Sequence, residues 1–261
     1  MLSDITPVLL TFNEAPNIGR TLSCLTWAKD IIVVDSGSTD ETALIIAAFP
    51  QVRVFHRSFD THGTQWRYAT QETGISTNWI LRLDADYEVT EAFKNELSRL
   101  DPAADVDGYR VSFDYAIFGQ KLISSLYPPN TILVRRNKFL VRDKGHTEEW
   151  TVQGPVKNLK GRIIHDDRKP IGHWMAAQGR YMTRELIQLR EESGFKSWLR
   201  LHPPLMPLAV FFYCLFVKGL ILNGYAGLFY ALQRLAAESA LSLMVLEERL
   251  RGLGSRPEKG A

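Results

Sequence analysis

Four consecutive β-branched residues, Ile31-Ile-Val-Val34, stop at Asp35. An unbroken apolar run of this kind belongs to a strand covered on both faces, as in a parallel sheet, because alternation would place polar groups in one of the covering layers. Pro7-Val-Leu-Leu-Thr-Phe12, Val52-Arg-Val-Phe55 and Trp79-Ile-Leu-Arg-Leu83 read as three further short strands. Helical signals lie between them. Pro16 suits a first helical turn, and Ile18, Leu22 and Leu25 recur at helical spacing through Trp27. Ser38 with Glu41 spells a capping box for a helix ending at Phe49 before Pro50, and residues 63–73 supply a third helix. The alternation predicts an α/β doubly wound half-domain whose ligand sits beyond the carboxyl ends of the strands. Thr11, Asp35 and Asp84 all fall on that rim.

Past Asp86 the pattern changes to α+β. A helix is expected over 91–100, and strands over 108–113, 131–135 and 161–165, separated by long polar loops that supply the wall for a second substrate. Residues 173–192 are helical with a polar face. Leu205 opens the most apolar run, thirteen residues before Lys218, whereas a spanning helix needs about 20. Two placements fit it: an element lying in a membrane interface or paired in a hairpin with a helix over 227–250, or a helix buried on the α/β domain. Lys196, Arg200 and His202 precede the run, where they would meet anionic headgroups. The expected division is 1–100 and 101–172 as two halves of one catalytic domain, 173–250 as a helical membrane-associating region, and 251–261 as a disordered tail.

Asp84 and Asp86, one residue apart at a strand end, can both turn toward one hard cation, Mg²⁺ or Mn²⁺, which leaves part of its shell to water and substrate phosphates. The alternative is that they hydrogen-bond the turn backbone. His165 ends a strand and is a candidate third ligand, imidazole being suited to Mn²⁺. Arg67 and Arg168 are candidates for a diphosphate or an acceptor phosphate, which Arg grips bidentately. A net charge of +2 lacks the concentrated basic excess of a nucleic-acid binder. Cys24 and Cys214 have no metal-ligand spacing, which suits a reducing compartment. The N-terminus lacks a basic segment followed by an apolar core, so no secretory signal is expected.

Three ordered motifs, Thr11-Phe-Asn-Glu14, Val34-Asp-Ser-Gly-Ser-Thr-Asp40 and Leu83-Asp-Ala-Asp86, resemble those of the family 2 glycosyltransferases of GT-A fold. The resemblance implies that Thr11, Asn13 and Glu14 line a nucleotide pocket and that Asp35 meets the uracil or ribose. It also implies that Asp84 lies near ribose and metal, and that Asp86 ligates the ion bridging the diphosphate of a nucleotide-sugar donor, UDP-linked in expectation. Gly145-His-Thr-Glu148, Gly154-Pro-Val156, Ile164-His-Asp-Asp167 and Leu228-Phe-Tyr-Ala-Leu-Gln233 look, more loosely, like the lipopolysaccharide-core and related cell-envelope sugar transferases. That likeness implies a lipid-attached envelope glycan as acceptor and a peripheral or monotopic place on the cytoplasmic face of the inner membrane. An inverting transfer needs a base for the acceptor hydroxyl. Glu148 is the candidate, with Glu149 open, because the order His146-Thr147-Glu148-Glu149 departs from the family's His-Glu pair. Either glutamate could instead pair with Arg142 or Lys144. Two other readings remain: a nucleotidyltransferase of similar fold, although the acidic Thr11–Glu14 segment is no triphosphate loop, and a non-catalytic membrane-attached module that retains the fold.

Overall fold

A computed structural model describes residues 1–101, 105–144, 147–191, 194, 200 and 205–254. The chain divides into two compact units, Met1–Lys121 with Leu126–Lys169, and Leu122–Ser125 with Pro170–Ala261.

In the first unit β1 (Ile5–Thr11), β2 (Ile31–Asp35), β3 (Val52–His56) and β4 (Trp79–Asp84) run parallel, with α1 (Ile18–Ser23), α2 (Thr42–Ile46) and α3 (His62–Gln71) between them. There follow β5 (Tyr87–Val89), α4 (Glu91–Arg99), β6 (Gly108–Ile117), β7 (Gln120–Lys121), β8 (Asn130–Arg135), β9 (Phe139–Lys144), β10 (Thr147–Val152) and β11 (Val156–His165). The main sheet has the order β3-β2-β1-β4-β8-β6-β11-β5, with β7 paired to β6. It is mixed: β8 is antiparallel to β4 and β6, β11 is parallel to β6, and β5 is antiparallel to β11. Burial explains the central strands. Side chains alternate between the two faces, and both faces are covered: Leu9, Val33 and Leu81 enter one apolar cluster, Val8, Ile32 and Ile80 the other.

Three features depart from the sequence reading. The Ser38–Glu41 capping box does not form; α2 begins at Thr42 with no side-chain cap, and Ser38 is instead bonded to Asp35. A capping box occurs one helix later, where Thr61 and Thr64 exchange side-chain and backbone bonds at the start of α3. Stretches expected as polar loop form the antiparallel hairpin β9–β10, whose Phe139, Val141, Trp150 and Val152 pack on the second cluster. Tyr87–Val89, immediately after the paired acids, is a strand on the far edge of the sheet. The chain therefore crosses the sheet at Asp84–Asp86. On that far side α4 lies so close to β11 that a Cβ at Gly161 would stand 2.5 Å from the Phe93 Cα.

The second unit contains α5 (Ile171–Glu191), α6 (Met206–Phe212), a π turn at Tyr213–Val217, a 3-10 turn at Leu220–Asn223 and α7 (Gly224–Gly254). Met182, Leu186 and Leu189 of α5 pack on Ala237, Leu241 and Val245 of α7. Arg200 ties the two helices through Glu185 and the buried Glu238, to which it donates at 2.8 Å. Much of the apolar run faces outward: Leu205, Leu208, Phe212, Phe216 and Val217 are exposed, as are Leu222 at 82% and Tyr225 at 91%. No single helix among the described residues is long and apolar enough to cross a membrane; Met206–Val217 and Leu220–Arg251 together reach the required length but are bent by 74°. Lys196, His202 and most of the 251–261 tail lie outside the described residues.

Candidate active site

The parallel register sets Thr11 beside Asp35 and Leu10 beside Asp84, so the ends of β1, β2 and β4 share one rim. Asp35 is buried and its carboxylate is fully engaged. Thr11 Oγ1 and Ser38 Oγ donate to Oδ1 at 3.1 and 2.5 Å, and the Gly37 and Ser38 amides donate to Oδ2 at 3.0 and 2.9 Å. Burial pushes its pKa up, but these donors more than offset it and the net shift is downward. The amide geometry requires the positive φ of +90° at Gly37, a conformation that L side chains resist. The next loop is laced to the first: Asn13 N donates to Ser38 Oγ at 2.9 Å, Asn13 Oδ1 accepts from Thr39 N at 2.8 Å, and Glu14 N donates to Thr42 Oγ1 at 2.8 Å. Asp35 thus braces two loops, and a nucleotide N–H reaching it would share oxygens already occupied.

Glu14 turns inward. Lys169 Nζ donates to its Oε1 at 2.6 Å and Asn17 Nδ2 to its Oε2 at 2.9 Å. Burial nevertheless raises the carboxyl to about 7, the Lys169 ammonium opposing the shift and the Asp86 charge adding to it. Lys169, Asn17 and Arg20 were not picked out from the sequence, since nothing local marks them. The segment after β11 brings them in: Asn17 Nδ2 also donates to Asp167 Oδ1 at 2.8 Å, Asn17 Oδ1 accepts from Arg168 N at 2.9 Å, and Arg20 donates to the Asp166 carbonyl at 2.9 Å. Arg168 is held by the buried Asp166, Nε to Oδ2, at 2.8 Å.

Asp84 is open to solvent on one side and crowded by protein on the others; that crowding and the Asp86 charge raise its pKa. Asp86 is pulled the opposite way: burial disfavours its charge, but His165 outweighs burial. His165 Nε2 lies 3.2 Å from Asp86 Oδ2, and burial, which lowers the imidazole pKa, is overcome by Asp86. The ring sits among Tyr87, Tyr115 and Tyr127, with centroids 4.6 to 5.3 Å away. Asp86 Oδ1 and His165 Nδ1 are buried with no hydrogen-bond partner among the described residues. No three Asp, Glu, His or Cys side chains among those residues converge as a ready metal cage.

Of the remaining candidates, Arg67 on α3 donates to the Val141 carbonyl at 3.3 Å, which joins α3 to β9. Glu148 on β10 faces Arg82 of β4, whose Nη1 lies 3.5 Å from Oε1. Glu149 is exposed and sits opposite Arg142 in the hairpin register. Arg82, Arg110, Asn130, Thr131, Glu148 and Trp150 line a cavity of about 340 Å³. His146 falls outside the described residues.

Comparison with known proteins bears on the family and the fold. The family model "Glycosyl transferase family 2" matches residues 7–150. The lipopolysaccharide core biosynthesis glycosyltransferase LpsC of Rhizobium meliloti is 25% identical over 221 residues, which are 78% of this chain and 79% of that one. An uncharacterized glycosyltransferase of Rickettsia bellii is 33% identical over 106 residues, 40% of this chain and only 35% of its own length. Among solved structures, residues 1–349 of S. aureus TarS in complex with UDP-GlcNAc share the fold with a TM-score of 0.50 at 13% identity, over 95% of this chain and 92% of that one. The family match takes in the ends of β1, β2 and β4 together with the hairpin that carries Glu148, and spans more than half of the sequence; the chain belongs to glycosyl transferase family 2 and is a glycosyltransferase of GT-A fold.

Proposed function

We propose that this glycosyltransferase moves a sugar with inversion from a UDP-linked donor to a lipid-attached glycan of the cell envelope, with Mg²⁺ or Mn²⁺ as cofactor. The observation that carries the reading is Asp86: it stands where the chain crosses the sheet, keeps its charge beside His165, and holds Oδ1 buried with no hydrogen-bond partner among the described residues. That unmatched acceptor fits a cation, because a buried polar atom left alone is costly. Asp86 and His165 would hold the ion, as suits a cation bound through few side chains. When bound, it supplies neutralisation of charge on the departing diphosphate. The nucleotide rests on the rim of Thr11, Asn13 and Asp84, with Asp35 fixing the loops beneath it. Lys169, held by Glu14 and acting electrostatically on Asp86, adds a positive charge toward the diphosphate. Glu148 accepts the proton of the attacking hydroxyl, and Arg82, held against the Trp66–Trp150 pair, orients that carboxylate. UDP-GlcNAc bound by TarS, and the lipopolysaccharide-core role in the name of LpsC, support the donor and acceptor classes. The exposed apolar residues of the second unit support a peripheral or monotopic place on the cytoplasmic face of the inner membrane, where an amphiphilic acceptor is met directly.

The test is nucleotide release. Incubated with UDP-sugars, the protein should release UDP, lose that activity in EDTA and regain it with Mn²⁺. Release of pyrophosphate from a nucleoside triphosphate would instead mark a nucleotidyltransferase. Silence with every UDP-sugar, or indifference to EDTA, would defeat the reading.

A further inference from the structure

Among the described residues that line the cavity beside Glu148, two are cationic and one is anionic. Its inner guanidinium, Arg82, is buried, lies against the Trp66–Trp150 pair at 5.9 and 4.7 Å from the two rings, and is directed at Glu148. Stacking and ion pairing together hold its planar group in one orientation. Arg110 differs. It sits on β6 beside Thr131 of β8, is exposed, and has no carboxylate partner among the described residues. Among the described residues, two guanidinium groups and one carboxylate therefore line this pocket, where Asn130 and Thr131 add polar side chains suited to hydroxyls.

We propose that this pocket takes an acceptor sugar bearing an anionic substituent, a phosphate or a carboxylate, gripped by Arg110 while a neighbouring hydroxyl of the same sugar meets Glu148. The proposal rests on the transfer reaction above and narrows its acceptor. A planar guanidinium binds either oxyanion bidentately, which fixes direction as well as strength. A volume of about 340 Å³ lies at the small end of ligand pockets, so it admits one sugar with its substituent rather than a long oligosaccharide. The two arginines that the sequence offers for a diphosphate or an acceptor phosphate are engaged elsewhere, Arg168 by Asp166 and Arg67 by the Val141 carbonyl. Arg110 also stands apart from the Asp86–His165 pair, so an acceptor anion on it would not compete with the donor diphosphate for the same groups.

The test is a binding measurement that does not require turnover. Saturation-transfer NMR and calorimetry on the full chain would compare D-glucose 6-phosphate, D-glucuronate and D-glucose, with wild type, Arg110→Ala and Arg110→Lys, each variant checked for an unchanged unfolding midpoint. At least one anionic sugar should bind about tenfold or more tightly than glucose, as expected for a charge-assisted contact. Arg110→Ala should erase that difference and Arg110→Lys should restore part of it. Preference for the phosphate over the uronate, or the reverse, identifies the substituent. Equal binding of all three sugars, binding of none, or an anion preference that survives Arg110→Ala would overturn the proposal. A separate titration of wild type with UDP and Mn²⁺ reports on the donor reading: failure there with anionic-sugar binding intact condemns the donor assignment and not this pocket.

Discussion

At Asp86 one carboxylate oxygen faces His165 and the other is buried without a hydrogen bond among the described residues, whereas at Asp35 both oxygens are saturated by four donors. Asp86→Asn keeps the shape and removes the charge, so UDP release should fall at least about a hundredfold, the loss of several kcal/mol of charge stabilisation, while the protein stays folded. Wild-type turnover in that variant would remove Asp86 from the site. Glu148→Gln should cost transfer roughly 10²- to 10⁴-fold with UDP affinity unchanged, the range for a lost general base. The same change at the exposed Glu149 should cost little; the reverse ranking would relocate the base. Glu14 supplies a pH signature. Its folded carboxyl titrates near 7 against 4.5 in the unfolded chain, so between those values the unfolded state holds fewer protons. Its contribution to stability is full below pH 4.5 and is lost as pH rises through 7, on the order of 3 kcal/mol. Urea unfolding in EDTA across pH 4.5 to 8 should show wild type losing stability relative to Glu14→Gln over that window; parallel curves would mean that Glu14 titrates normally. Asp35, Asp84 and Asp86 were legible as strand-end acids because apolar runs stop at them. Lys169 was not, because its partner Glu14 lies far away in sequence.

Elements were easiest to read where burial on both faces forces a continuous apolar run, as in β1, β2 and β4. They were hardest to read at the sheet margins. Three-residue β5 pairs only with the last residues of β11, too short for any periodicity. The β9–β10 hairpin alternates faces but is interrupted by charge, so its buried Phe139 and Val141 and half-buried Trp150 do not stand out from loop. At Ser38 the local capping pattern lost to a tertiary partner, since Asp35 offers the hydroxyl a buried carboxylate. The contact of α4 with β11 gives an element-scale prediction. Gly161→Ala places a methyl group against backbone at Phe93, which cannot swing aside as a side chain could. It should destabilise the fold by about 1–3 kcal/mol, the usual cost of overpacking. Urea unfolding with no shift in midpoint would show that α4 yields freely.

For the whole molecule, the apolar surface of the second unit is the feature with consequences. Leu222 and Tyr225 are almost fully exposed, and Phe216 and Val217 are exposed as well; large apolar side chains gathered on a surface mark a contact site. Leu222→Asp with Tyr225→Asp should lower co-sedimentation with anionic phospholipid vesicles severalfold and leave thermal stability unchanged, because these side chains support no core. Undiminished vesicle binding would place the contact elsewhere. The sequence by itself determined the alternating α/β order, the acids at the strand ends and the family, because each is written in neighbouring residues: apolar runs, the residues that end them, and short motifs. Only the tertiary structure decided that Asp35 is a brace, that Lys169 belongs to Glu14, that Glu148 and not Glu149 faces Arg82, and that Arg110 opens onto the same cavity. Those facts depend on which strands lie side by side, and strand order follows from how apolar surface is shared across the whole chain.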